Sequence, residues 1–287
     1  MKVTLSIVLL SLLTGSLVLA QQSDDATRKL WDTAFIGPSK STTGRRRSTR
    51  KYRIATPDVP IDNVLAESVV GVTIWRLRPA GRADSGERLI VHDDNATKEW
   101  VPERISANTK LGPGDRLRIS VEAARNGYLY VIDRELYADG TLGEPYLIFP
   151  TTRTLNGDNQ VSVGKLIELP AQQDSPPFFT IRRSRPDQVA EVLSVLVTPT
   201  PLEGVQISDK ALKLTDAQVT QWEKLWSTSV GRLEMESVGQ AWTREEKDAG
   251  ASNTRALTAS APPPQMIFYR PKSSEAMFVK LRLSYRK

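Results

Sequence analysis

The chain has no cysteine and only one histidine, His92. Without thiols there is no disulfide framework, no thiolate zinc site and no cysteine nucleophile. A single imidazole excludes every multi-histidine metal centre. Beside Asp93 and Asp94, His92 reads as a solvated residue rather than a ligand. Long apolar runs are also scarce. The one such stretch, residues 3–19, is interrupted by Ser6, Ser11, Thr14, Gly15 and Ser16, and it falls short of the roughly 20 predominantly apolar residues that a membrane span requires. A Gly-x-Ser-x-Gly elbow, a complete phosphate-binding loop and a His-Glu-x-x-His helix are all missing, which excludes the chemistries those local motifs carry.

The apolar stretch that is present has the layout of a cleavable secretory signal. Met1-Lys2 supplies a positive start, and Val18-Leu19-Ala20 places small side chains at the junction. Cleavage is expected between Ala20 and Gln21. With no cysteine to carry a lipid, the expected product is a soluble, non-lipidated periplasmic or extracellular protein without a transmembrane span.

The formal charge of +6 is unevenly spread. Residues 21–60 hold nine Lys/Arg against four Asp, residues 61–287 hold 29 of each sign, and Lys2 supplies the last unit. The body is therefore electrically balanced and the basicity belongs to a tail. Residues 21–60 also contain Gly37-Pro38 and a Ser/Thr-rich patch, and they have little apolar periodicity after Trp31 and Phe35. They read as a flexible basic arm, with a short helix over 26–35. Arg45, Arg46, Arg47, Arg50, Lys51 and Arg53 are candidate contacts with an anionic lipid or polymer surface, each contributing up to about 1 kcal/mol; the alternative is a solvated linker. Nucleic acid is not an expected partner, because the run lacks a recognition element and the body is neutral.

Residues 61–287 read as a single domain. Short segments rich in β-branched and aromatic residues, separated by turn chemistry, predict strands over 72–77, 88–91, 116–123, 128–132, 146–149, 161–169, 178–182 and 192–197. Leu117, Ile119, Val121 and Ala123 alternate with Arg116, Arg118, Ser120 and Glu122, which predicts one face inward and the other in water. Asn126-Gly127 marks a hairpin turn. The expected architecture is mainly β, an antiparallel Ig-like sandwich. A small helical excursion is expected at about 203–270. Thr215-Asp216-Ala217-Gln218 and Thr243-Arg244-Glu245-Glu246 are capping boxes that open two helices, and Val219, Trp222 and Trp226 should dock on the sandwich. Ala251 to Pro264 reads as a loop stiffening into an extended segment. Val279, Leu281, Leu283 and Tyr285 alternate with polar residues and predict a last strand that rejoins the sheet.

The run Gly114-Asp115-Arg116-Leu117-Arg118-Ile119-Ser120-Val121, followed by Gly127-Tyr128-Leu129-Tyr130-Val131, Leu147-Ile148-Phe149-Pro150, Asn159, Gly164 and Pro170, resembles the bacterial family called domain of unknown function 4384. The resemblance spans about residues 70–200. It implies a bacterial origin and a β-sandwich module of the kind found in exported proteins or attached to caspase-like peptidase or protein-kinase domains. It transfers no catalytic residues.

Ser162-Val163-Gly164-Lys165 has the spacing of a serine–lysine pair, but positions three apart on a strand face opposite ways. Asp133, Glu135 and Asp139 form an acidic cluster read as part of a loop. Their spacing departs from a calcium loop, and Asp/Gly-rich turns need no metal. Tyr128 and Tyr130 share a sheet face, as core or beneath the excursion; an exposed face would make them an aromatic platform. No catalytic, cofactor or metal residues are assigned. The expected function is a non-catalytic envelope or secreted binding module for an envelope protein or polymer. The alternatives are a glycan- or peptide-acting hydrolase whose carboxylates assemble only in the fold, and a protein docked on a surface through Arg45–Arg53.

Overall fold

The computed structural model describes Leu30, Ala34, Phe35 and residues 51–61, 64–84, 87–93, 96–252, 256–258, 261–271 and 276–286. In chain order the strands are β1 (Tyr52–Ile54), β2 (Val64–Pro79), β3 (Leu89–Asp93), β4 (Ala96–Ile105), β5 (Arg116–Ala123), β6 (Gly127–Tyr137), β7 (Tyr146–Phe149), β8 (Gln160–Val161), β9 (Leu166–Leu169), β10 (Phe179–Thr180), β11 (Gln188–Thr198) and β12 (Leu212–Lys213). Helix α1 (Asp216–Trp226), β13 (Gly231–Met235), helix α2 (Arg244–Gly250), β14 (Met266–Pro271) and β15 (Met277–Ser284) follow. Among the described residues, no helix is long and apolar enough to cross a membrane.

The strands form two antiparallel sheets. In the first, β2 pairs with β14 and β4 along one edge and with β5 along the other; β13 and β1 extend beyond β14, β3 beyond β4, and β9 and β10 beyond β5. The second runs β12-β7-β6-β11-β15, with β8 also on β6. The main core lies between the sheets, built from alternate residues: Val70, Val72 and Ile74 of β2, Leu117, Ile119 and Val121 of β5, Leu129 and Val131 of β6, Val195 and Val197 of β11, and Val279 and Leu281 of β15. The chain is thus mainly β, a sandwich with a small helical part, and β15 rejoins the second sheet along β11 as expected.

The excursion is less helical than its capping boxes suggest. Both boxes are formed, with Gln218 N donating to Thr215 Oγ1 at 3.2 Å and Glu246 N to Thr243 Oγ1 at 3.3 Å. Between and after the helices, β13 and β14 return to the first sheet, so 203–270 supplies two strands as well as two helices. Helix α1 lays Val219, Trp222 and Trp226 on Tyr130, Ile132, Leu147, Leu196 and Phe278 of the second sheet. Tyr128 and Tyr130 therefore lie beneath the helix and form no open platform.

Three further expectations are corrected. First, the outward residues of β5 are not in water: Arg118 is 0%, Ser120 3% and Glu122 8% exposed. Helix α2 and the segment 261–265 cover this face. Arg118 pairs with Glu168 of β9 at 2.7 Å and Arg104 of β4 pairs with Glu246 of α2. Trp75 and Trp242 meet edge to face at 6.5 Å, with Arg104 over the first ring and Arg118 over the second. Second, the arm does not extend to residue 60. Tyr52 is buried, β1 pairs with β13, and Val59 and Ile61 pack with Leu30, Ala34 and Phe35 against Val69, Leu233 and Tyr269. Third, the strand expected over 161–169 is split by a turn at Ser162–Lys165, where Gly164 has φ +81° and Lys165 N donates to Ser162 O at 3.0 Å. The strand expected over 178–182 shortens to β10.

The proline run 262–264 is buried rather than looping free. Arg104 donates to Pro263 O at 2.9 Å and Tyr52 OH donates to Pro264 O. A Cβ at Gly71 would come within 2.5 Å of Pro264 Cγ and 3.3 Å of Phe35 Cζ. Gly71→Ala should therefore lower stability by about 1–3 kcal/mol, measurable as a lower urea midpoint. A second outcome concerns Glu122, whose carboxyl is pushed up to about 8, chiefly by burial and then by Glu246 nearby. The folded chain keeps this proton up to about pH 8, whereas the unfolded chain loses it near 4.5. Stability is fully present below the lower value and falls by about 1.4 kcal/mol per pH unit across that window. Thermal melts at pH 5 and pH 8 should show a smaller drop for Glu122→Gln than for the parent chain.

Candidate functional site

Three acids meet on the inward face at one end of the second sheet. The inward parity of β6 runs Leu129, Val131, Asp133, Glu135, and that of β11 runs Val197, Val195, Leu193, Glu191. In register, Glu135 sits directly opposite Glu191, and Asp133 opposite Leu193. Asp133 and Glu135 thus belong to a strand, not to the loop expected for them, because β6 continues to Tyr137. Asp139 leaves the group: its Oδ1 accepts from Thr141 N at 2.9 Å and from Thr141 Oγ1 at 2.7 Å, and these bonds hold its carboxyl below the usual range. Among the described residues, no group of three or more His, Asp or Glu side chains is placed to hold a metal ion.

The side-chain donors to the acids come from Tyr285, Gln188 and Tyr137, and the backbone N–H of Arg134 faces the Asp133 carboxyl. Tyr285, just past β15, donates to Glu191 Oε1 at 2.6 Å, and Gln188 Nε2 donates to the same oxygen at 2.8 Å. Tyr137 OH donates to Glu135 Oε2. Asp133 Oδ1 and Glu191 Oε2 are buried and receive no hydrogen bond. Like charges opposite one another on a sheet repel, and burial adds to the cost of ionising them. Burial first, then Glu191 and Glu135, push Asp133 up to about 8. Burial also raises Glu191, against the opposing effect of the Tyr285 and Gln188 bonds. Burial and the neighbouring Glu191 raise Tyr285 well above the usual phenol range.

Two loops close over the cluster. In the first, Gly143 N donates to Glu135 O at 2.8 Å, and a Cβ at Gly143 would lie 3.2 Å from both the Glu135 carboxyl and Tyr137 OH. The second, 181–187, stacks Arg185 over the Tyr137 ring at 4.0 Å and Arg183 over the Tyr285 ring at 5.7 Å. Ala138 N donates to Asp187 O at 2.9 Å and ties the two loops together.

Among the described residues, the other candidates are not part of this cluster. Ala20, Gln21, Arg45, Arg46, Arg47 and Arg50 lie outside the described residues. Lys51 is exposed. Arg53, its side chain 46% exposed, pairs with Glu234 at 2.7 Å, a carboxylate with no exposure that also accepts from Ala107 N at 2.9 Å. Lys165 bonds Asp158 at 3.2 Å and Gln160 O at 2.6 Å. Those bonds and the turn, not opposite strand faces, occupy the lysine of the Ser162/Lys165 pair. His92 lies exposed on β3, its Nδ1 3.2 Å from Thr97 Oγ1.

Sequence reasoning missed Glu191, Tyr285, Tyr137 and Gln188 as members of a site. The parity signal was present: Glu191 shares its face with Leu193, Val195 and Val197, all inward. No family model, no curated protein and no solved structure matches the chain. Removing the hydroxyl in Tyr285→Phe should leave Glu191 Oε1 with a single donor and cost about 1–2 kcal/mol, read from urea unfolding at neutral pH.

Proposed function

We propose that the chain is an exported, non-catalytic binding module whose acid-bearing sandwich end contacts an envelope protein or polymer carrying cationic groups. One observation carries this reading. Asp133, Glu135 and Glu191 occupy inward positions that apolar residues fill elsewhere on the same strands, at a cost in stability that the fold itself does not require. The site lies where loops meet at the end of a rigid scaffold, the usual place for recognition. The layout of residues 1–20 supports export, and the likeness to the domain of unknown function 4384 family supports a bacterial setting.

A second reading, a glycan- or peptide-acting hydrolase, is favoured by the Asp133–Glu191 pair, whose perturbed carboxyls suit general acid work. It requires turnover on an envelope polysaccharide or peptide panel, lost in Asp133→Asn.

The binding reading is tested by capture from a native envelope fraction at pH 8, with proteins and glycans both identified. The parent chain should retain a partner that the double variant Asp133→Asn, Glu191→Gln retains at least tenfold less. Equal capture by both overturns the placement of the contact at this end.

A further inference from the structure

We propose that Arg116, clamped between Trp100 and Phe178 on the outer face of the first sheet, takes a carboxylate from an acidic peptide segment of a partner protein. The site is separate from the acid cluster of the second sheet, and the proposal stands independently of the reading of that cluster.

Three arginines share this outer face. Arg116 and Arg118 alternate along β5, and β4 brings Arg104 into the same layer across β2. Each lies over aromatic rings: Arg104 over Trp75 at 4.9 Å, Arg118 over Trp242 at 5.8 Å, and Arg116 over both Trp100 at 4.1 Å and Phe178 at 4.6 Å. Arg104 and Arg118 are each also closed by a carboxylate and a carbonyl. Glu246 and Pro263 O serve Arg104, and Glu168 and Pro177 O serve Arg118.

Arg116 has the rings without the acid. It is half-buried, and among the described residues it makes no ion pair and no hydrogen bond. The acids next to the clamp in sequence are committed elsewhere: Glu99 to Arg88, and Asp115 to Gly112 N at 2.8 Å and Arg286 at 3.6 Å. Trp100 adds a further donor, because its Nε1 is buried and has no acceptor. The clamp thus holds donors that the described residues leave unsatisfied, and the matching acceptor comes from outside.

The chemistry of that acceptor follows from the clamp. Stacking fixes the plane of a guanidinium and aims its N–H groups outward within that plane, where a planar carboxylate meets them in bidentate fashion. A tetrahedral phosphate would turn oxygens out of the plane, toward the two rings. The ring faces that could stack on a sugar are filled by the guanidinium itself. A glutamate side chain, by contrast, is what both other arginines of the layer accept. The surroundings carry the complementary charge: Ile181 N donates to Asp115 O at 2.8 Å, which sets Arg182, exposed and without an ion pair among the described residues, beside this end of β5. Arginine and tryptophan together are the residues that most often dominate protein interfaces, and a cationic rim favours acidic partners over basic ones.

The test is NMR titration of the full mature chain, following the Arg116 Nε–Hε and Trp100 indole signals, with four probes: a short oligoglutamate peptide, its oligoglutamine counterpart, trigalacturonate and inorganic phosphate. The oligoglutamate should shift both signals saturably, and the oligoglutamine should shift neither. Arg116→Lys, which keeps the charge and loses the planar fork, should bind the oligoglutamate about tenfold more weakly. If no probe moves the Arg116 signal, the residue only packs against its rings and the proposal is overturned. Equal binding by Arg116→Lys reduces the effect to general surface charge and overturns it as well. Trigalacturonate or phosphate acting at lower concentration than the peptide gives the site to a glycan or a free anion and rejects the peptide partner. Because the signals are read on the parent chain, a variant that unfolds leaves the decision intact.

Discussion

Two arginines buried on the outer face of the first sheet, Arg104 and Arg118, impose the constraint on which the rest of the architecture depends. A guanidinium cannot be deprotonated out of its charge, so each requires a carboxylate at hand when water is excluded. Glu246 reaches Arg104 from helix α2, and Glu168 reaches Arg118 from β9. The Glu246 carboxylate does two things at once: one oxygen completes the capping box with Thr243 and the other binds Arg104. The helix start and its position over the sheet are therefore set by the same side chain. Pairs of this kind add little net stability but penalise every arrangement in which either partner is left alone. They define where helix α2 sits.

A second consequence is charge balance. Two arginines face three buried acids in this layer, Glu122, Glu168 and Glu246. Burial raises the carboxyls of both Glu168 and Glu122, and Glu122, which has no arginine paired with it among the described residues, is pushed up to about 8. Gln172 steadies the rest by bonding Glu168 at 2.8 Å and Lys247 O at 2.7 Å, which links β9 to α2.

Because α2 and the 261–265 segment cover one sheet and α1 covers the other, the strands at the centre are buried on both faces. At the ends of the sandwich, loops cross from strand to strand. The acid cluster lies at such an end. Its residues extend the same inward rows that build the core, so a packing surface passes directly into a polar one between Val131 and Asp133 on β6 and between Leu193 and Glu191 on β11.

The sequence by itself determined the local grammar. Alternation at 117–123 and 279–285 specified strands, the Thr215 and Thr243 boxes specified helix starts, and the spacing of Trp222 and Trp226 specified a docked face, because each depends on backbone periodicity and near-neighbour bonds. It could not reveal that Arg118, Ser120 and Glu122 are buried. A polar residue at an alternating position looks the same whether water or a distant helix lies over it. For the same reason β13, β14 and the buried proline run were not legible, since their partners stand far away in the chain. Only the tertiary structure brought Glu191 beside Asp133 and Glu135 and set Tyr285 against Glu191 from the β15 side. Register across β6 and β11 is decided by how whole sheets pack, and the chemistry of those carboxyls follows from burial and proximity that no single segment carries.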